Sequence, residues 1–353
     1  MKLTIKAPSS RHSHLRPSAS KVEGGLLETV LKYSHIYHHL NAFGNFPEGP
    51  VDTAERLMSY RDDIMSLKPR FKPHLGLMLT KRTTPRTVRE AEERAGMEFL
   101  KIIFAASSTG SENGISIDDL EKYYPVLEEC LNLRIPTLWH WERPRTKSGL
   151  EIPPLEREEA AIEDAAEVLK EFPELKMAIE HVSTAAMLRF GEEAPANVIM
   201  TVTAHHPRSS YGCAYDEEGE VTDPFLHCMP ILKPEDDRLA IKKAITRGNY
   251  KKVHFGPDDA PHASSKKLKG APGIFMPGEV AIPLLAEMFE EEKALSNFES
   301  FVSWNETDGW FYGWEPTEET VTLKREEWAV PFTYEGLVPF WAGKRLGWRL
   351  EKK

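Results

Sequence analysis

The sequence predicts an α/β protein, a (β/α)8 barrel with a C-terminal extension packed on the barrel. Three observations carry this expectation. Short β-prone runs alternate with longer amphipathic runs, the habit of parallel strands joined by helical crossovers. About eight such units fit within the 353 residues, and eight close a barrel rather than leave an open sheet. The long irregular stretches, 107–114, 208–224 and 262–277, each follow a strand, where a barrel carries its functional loops.

In chain order the strands are expected at 3–5, 39–43, 74–79, 98–104, 135–139, 175–179, 197–203 and 251–255. Between them, helices are expected at 51–65, 85–95, 117–131, 157–171 and 234–246, several opened by Thr, Asp or Pro as start signals. In the third of these, Asp118-Asp119-Leu120 is followed by Tyr123, Val126, Leu127 and Cys130, a helical apolar period. Beyond Pro283 the chain reads as helix and then as a Trp-rich tail from Trp304 to Trp348 that packs against the barrel. Residues 1–353 are expected to form a single domain. The acidic run Asp216–Glu220, with Glu-Glu-Gly before a β-prone Val221-Thr222, reads as a surface hairpin.

Composition narrows the function. A net charge of −10 and a pI near 5.8, with Lys and Arg scattered rather than striped, disfavour a nucleic-acid partner. A small anionic substrate stays open, because one or two cations in a pocket override a distant surface charge. Cys130, Cys213 and Cys228 lie far apart without CxxC spacing, which fits a reducing compartment. No apolar leader and no stretch long enough to span a membrane is visible, so a cytoplasmic location is expected. Neither a Walker motif nor a dinucleotide-binding fingerprint is present.

The chemistry lies at strand ends. His12 and His14, two apart in an extended segment, point to the same side and can reach one metal ion. His140 follows IPTLW, His181 follows KMAIE and Asp258 follows VHFGP, so each occupies the C-terminal end of its own strand. In a barrel those ends converge on one mouth. Lys101 sits inside the apolar run FLKII, where burial depresses an ammonium pKa. Held neutral there, its amine can take up carbon dioxide as a carbamate with two metal-binding oxygens. Without the histidines, a lysine snorkelling to solvent would be the better reading.

The set His12-x-His14-Leu15-Arg16, Lys101, His140, Glu180-His181 and Asp258-x-Ala260-Pro261-His262 resembles the amidohydrolase superfamily, most closely the PyrC-type (class II) dihydroorotases. The resemblance runs over nearly the whole chain, including CMPILK at 228–233 and LVPFWAG at 337–343. It implies two zinc ions, with cobalt or manganese as substitutes: His12 and His14 on the more buried ion, carboxylated Lys101 bridging, His140 and His181 on the second. Asp258 is implied as a ligand of the first ion and as the proton carrier. Arg16, Asn45 and His262 match the residues that hold the substrate carboxylate, Met229 and Gly273 match main-chain contacts to the ring, and Ser108 and Thr109 match the hydroxyl pair of a closing loop. The implied reaction is the reversible closure of N-carbamoyl-L-aspartate to L-dihydroorotate in pyrimidine synthesis, by a homodimer.

Some details depart from that pattern. Arg16 is followed by Pro17-Ser18 where an acidic residue and glycine are usual, Asn45 lies in FGNF, and Lys101 is followed by IIFAA. These changes border the substrate pocket and remove no ligand, so the alternatives kept open are another binuclear cyclic ureide or imide hydrolase and a silent scaffold barrel. His35, His38, His39, His74, His205, His227 and His254 are expected in packing or on the surface, with His206 close enough to the mouth for a supporting contact. The cluster Trp304, Trp310 and Trp314 is expected in the core or at a subunit interface.

Overall fold

The structure is a computed structural model that describes residues 1–15, 26–46, 49–108 and 111–351. The strands are β1 (Lys2–Lys6), β2 (Ser10–Ser13), β3 (His39–Ala42), β4 (Asn45–Phe46), β5 (Gly49–Pro50), β6 (Lys72–Met78), β7 (Phe99–Ile103), β8 (Thr137–His140), β9 (Met177–Ile179), β10 (Val198–Val202), β11 (Val253–Phe255), β12 (Thr320–Ala329) and β13 (Arg345–Leu350). An eight-stranded parallel sheet runs in the order β2-β3-β6-β7-β8-β9-β10-β11. It closes at its upper rim, where Asp258 N donates to His12 O at 3.0 Å and His14 N donates to Asp259 O at 2.8 Å. The expected barrel is therefore present, and its closing seam passes through three of the expected ligands, His12, His14 and Asp258.

One strand assignment is corrected. The 3–5 segment belongs to no barrel; β1 pairs antiparallel with β12, which pairs with β13, in a separate three-stranded sheet. The first barrel strand is Ser10-Arg11-His12-Ser13, buried at all four positions yet polar throughout. A strand whose two faces meet hydrogen-bonding partners rather than apolar ones shows no hydrophobic period, so periodicity passes over it.

The helices are α1 (Leu26–Tyr33), α2 (Ala54–Ser66), α3 (Pro85–Ala95), α4 (Tyr124–Asn132), α5 (Arg157–Ala160), α6 (Ile162–Glu171), α7 (Ala185–Glu193), α8 (Glu235–Arg247), α9 (Ser264–Lys267), α10 (Gly278–Glu291), α11 (Phe298–Val302) and α12 (Glu306–Tyr312). α3 begins as its sequence implies, with Thr84 as a capping-box N-cap and Pro85 in the first turn, and ends on Gly96 in the left-handed conformation. The expected 117–131 helix opens as a 3-10 segment, Ile117–Tyr123, before α4, and the expected 157–171 helix is broken at Ala161. α1 and α7 lack expected counterparts, and α10 starts at Gly278, taking Pro283 inside it. The 216–220 turn is a hairpin, with Asp216 N on Glu220 O and Tyr215 bridged to Val221.

Period-two alternation sorts the barrel interior into layers. Phe99, Leu138, Ala178 and Ile199 face inward from successive strands and pack together with Phe311 of α12, which plugs the N-terminal floor. Gly76 leaves room for this layer, since a Cβ there would lie 2.4 Å from the Phe99 ring. Two residues further along the same strands come Lys101, His140, Glu180 and Thr201, all buried. The apolar floor and the polar mouth are thus adjacent layers of one alternation.

The tail closes the floor. Arg11 and Asp308 are both fully buried; Arg11 Nε and Nη2 donate to the two Asp308 oxygens at 2.7 and 2.5 Å, and Nη1 and Nη2 also reach Phe255 O and Ser303 O. Trp314 stacks on His39 and His74 with ring centroids 4.8 and 4.7 Å apart, so it is a core residue as expected, while Trp310 is exposed. His39 donates from Nε2 to Glu315 O at 2.8 Å, leaving Nδ1 to accept from His74 Nε2, whose Nδ1 meets Glu98. Burial pushes His39 down to about 3, so it takes part as the neutral ring.

Candidate active site

The C-terminal rim gathers the expected chemistry from five strands. His12 lies on β2 and His14 just beyond it, Lys101 in the middle of β7, His140 at the end of β8, His181 two residues past β9 and Asp258 three past β11. His181 and Asp258 have φ of +43° and +49°, left-handed values uncommon for residues with a side chain. Such strain persists where the surroundings impose it, and clusters at functional sites. His181 is held by its N–H on Thr201 Oγ1 at 2.9 Å, and Asp258 by the closing seam.

Two groups of donor atoms share His12. His12, His14 and Asp258 have ligand atoms within 4.8 Å of one another, and so do His12, Glu180 and His181. Asp258 Oδ1 lies 3.2 Å from His14 Nε2 and 3.4 Å from His12 Nε2. The His140 ring lies beside the second group, 4.5 Å from the His181 ring centroid to centroid. Trp139 and Trp141, parallel and 4.5 Å apart, flank His140 in sequence and stiffen its strand end.

Lys101 is 1% exposed, turned inward over the Phe43 ring, and in direct contact with Glu180 Oε2. Desolvation pushes its ammonium down to about 7, against the pull of Asp258. Burial works against the charge of Asp258, yet His12, His14 and His181 hold its carboxyl well below the ordinary range. Burial pushes His12 and His181 down, toward the neutral imidazole that serves as a ligand.

This donor set fits cations. His181 Nδ1 is buried without a hydrogen-bond partner among the described residues, and beside it Lys101 Nζ, Glu180 and His12 Nδ1 meet one another only as ion-pair contacts. A buried imidazole nitrogen with no partner, set among desolvated charges, is costly in a folded interior unless an ion or water satisfies it. Imidazole and carboxylate ligands around an open position suit catalytic zinc and related divalent ions.

Of the expected substrate residues, His262 is buried beside Gly273: a Cβ on Gly273, at φ +136°, would come within 2.4 Å of Ala260 O and 3.0 Å of the His262 ring. Only glycine lets the chain pass that ring so closely. Met229 is half-buried, Ser108 lies in a turn with Ser111, and Asn45 opens β4. Arg16 and Thr109 lie outside the described residues.

Two carboxylates carry no role in the sequence analysis, although Glu180 stands in the Glu180-His181 pair quoted there. Glu142, fully buried, accepts a hydrogen bond from His140 Nε2 at 2.7 Å, and Glu180 lies 3.4 Å from His12 Nδ1. Glu180 carries a signal, since it stands two residues beyond the inward-facing Ala178 and so shares its face. Glu142 carries none, because a glutamate just past a strand end reads like any exposed loop carboxylate. His206 meets no expected ligand in these bonds: it bonds Thr203 Oγ1 at 2.9 Å and donates to Pro230 O at 3.0 Å, the carbonyl that Cys228 Sγ also meets at 3.1 Å. These bonds occupy His206 and Cys228 at the turn around Met229, while both ring nitrogens of the adjacent His205 are buried without a hydrogen-bond partner among the described residues.

A parallel barrel that devotes the uppermost layer of its interior to imidazoles, a desolvated lysine and carboxylates is a barrel hydrolase of the amidohydrolase kind. No family model matches the chain. It is 36% identical over 360 residues to a dihydroorotase of Teredinibacter turnerae, covering 99% of both chains. A crystal structure of Saccharomyces cerevisiae dihydroorotase in complex with 5-fluoroorotic acid superposes with a TM-score of 0.87 at 25% identity, over 99% of this chain and 98% of that one. An L-hydantoinase of Arthrobacter aurescens, at 15% identity and a TM-score of 0.80 over 99% of this chain and 83% of that one, shares the fold. The chain belongs to the dihydroorotase family, metal-dependent hydrolases that act on cyclic amides.

Proposed function

We propose that this chain catalyses the reversible cyclisation of N-carbamoyl-L-aspartate to L-dihydroorotate in pyrimidine synthesis. The observation that carries the reading is the full-length match to dihydroorotases, supported by two groups of ligand-type side chains that share His12 at the barrel mouth. His12, His14 and Asp258 would hold one zinc ion, His140 and His181 the other, with Lys101 as its carbamate between them; cobalt or manganese would serve in the same places. Bound there, the pair would polarise the ring carbonyl and make water a nucleophile near neutral pH.

The protein's own groups do the rest. Asp258, ionised and fixed by the seam, takes the proton of the attacking water and returns it to the ring nitrogen as the C–N bond breaks. In ring closure the same carboxylate receives the proton of the ureido nitrogen. Arg16, Asn45 and His262 bind the exocyclic carboxylate, main-chain groups at Met229 and Gly273 meet the ring edge, and Ser108 and Thr109 close over it. We read the chain as one domain that works as a cytoplasmic homodimer.

Loading of Lys101 gives a pH signature. Its neutral amine attacks carbon dioxide, forming an N–C bond and releasing one proton. With an amine pKa of about 7, the reactive form rises from roughly a tenth at pH 6 to roughly nine-tenths at pH 8. With dissolved carbon dioxide held constant, the rate at which apo-protein recovers metal binding is therefore expected to increase severalfold over that interval, read by metal analysis. A rate flat in pH would remove the carbamate.

Glu142→Gln keeps the shape of the side chain but weakens the grip on His140 Nε2. Supporting partners of ligating histidines are worth about 10–100-fold in metal affinity. A loss of that size is expected in chelator competition.

The deciding experiment is hydrolysis of L-dihydroorotate by zinc-loaded protein, followed as a fall in ultraviolet absorbance. Turnover supports the proposal. No turnover with two metal ions bound per chain would move the substrate to another cyclic ureide or imide.

A further inference from the structure

Lys267 ends α9, 3% exposed, and its ammonium donates to three main-chain carbonyls: His227 at 2.8 Å, Ala271 at 3.0 Å and Gly273 at 2.6 Å. These carbonyls belong to two segments of the mouth. One runs from His227 into Met229; the other carries Gly273. The segments also meet directly, Gly273 N donating to His227 O at 3.0 Å, so that one carbonyl accepts from both. Gly273 in turn lies against the His262 ring, and Ala260 N pairs with Ile274 O at 2.9 Å. From the far side, the Tyr215 hydroxyl bonds His227 Nδ1 at 2.9 Å.

An ammonium has three donors and no acceptor, so it draws carbonyl oxygens to one point. Placing it in a buried site carries a desolvation cost, a costly way to order a loop that had only to be stable. The return is a fixed spacing between two strips of main chain. A slot held in advance spares the ligand the cost of ordering it.

We infer that Lys267 is the positioning residue of the substrate slot, setting the separation of the Met229 and Gly273 main chains and the place of His262. The inference rests on the dihydroorotase reading. Lys267 acts on ring binding, common to ground and transition states, and takes no part in bond breaking. Loss of such uniform binding raises KM and leaves kcat unchanged.

The test is Lys267→Met, of similar length and without donors. KM for L-dihydroorotate and Kd for orotate are expected to rise together by about 10–100-fold, with kcat within about threefold and metal content unchanged. Lys267→Arg keeps the buried charge and covers the case in which the Met variant does not fold. A planar guanidinium does not bring three donors to one point, so the same paired rise is expected. An unchanged KM and orotate affinity in a folded variant, or a loss confined to kcat or to metal content, would overturn the inference. Wild-type protein that binds no orotate would overturn the reading of function and this inference with it, whereas wild-type binding beside an unaltered variant overturns the inference alone.

Discussion

Asp258→Asn is expected to lower kcat for dihydroorotate hydrolysis by on the order of 10^2–10^4-fold, the usual worth of a positioned acid–base group. Asparagine is the informative replacement. The backbone at 258 has φ +49°, and asparagine tolerates the left-handed region where alanine is strained. The N–H of residue 258 would still donate to His12 O across the seam, so barrel closure is kept. What is lost is a carboxylate that its imidazole neighbours keep ionised. Steady-state kinetics beside metal analysis and thermal melting separates the effects: a fall in kcat at near-wild-type melting assigns the proton to Asp258. Turnover within tenfold of wild type in a metal-loaded variant would show that another group carries it.

Asp308→Ala has the largest expected effect on stability, about 3–5 kcal/mol, because it leaves Arg11 charged, fully buried and without its carboxylate. The consequence reaches the mouth. Arg11 precedes His12 on β2, and its other bonds hold Phe255 O at the end of β11 and Ser303 O in the tail. One guanidinium therefore ties together the two strands that meet at the closing seam and the segment that covers the floor. Replacing the pair by apolar residues, Arg11→Met with Asp308→Leu, is expected to cost less than Asp308→Ala alone, since no unpaired charge remains. Urea denaturation with both variants decides the matter, and a change under about 1 kcal/mol for Asp308→Ala would mean that solvent reaches Arg11.

Much of the site was legible because ligands sit where strands end. His140, His181 and Asp258 each follow an apolar strand run, and a lysine in FLKII is conspicuous in a core position. Glu142 escaped because nothing in WHWER says that the chain turns inward after His140. Lys267 escaped for a similar reason: in SSKKLKG it is one of several lysines, and only the carbonyls converging on it distinguish it from Lys266 or Lys269.

The sequence by itself determined the barrel class, the run of strands and crossovers, the identity of the ligand-type residues and the packing of the Trp-rich tail, because these follow from local periodicity and from chemistry that few residue types supply. Tertiary structure alone decided that β2 and not β1 opens the barrel, that α12 plugs its floor, that Arg11 and Asp308 bind tail to seam, and that Glu180 and Glu142 stand behind the histidines. Each of these is a contact between residues distant in the chain or a burial imposed by neighbours. A polar strand such as SRHS is stable inside only because its partners arrive from elsewhere, and no local pattern records them.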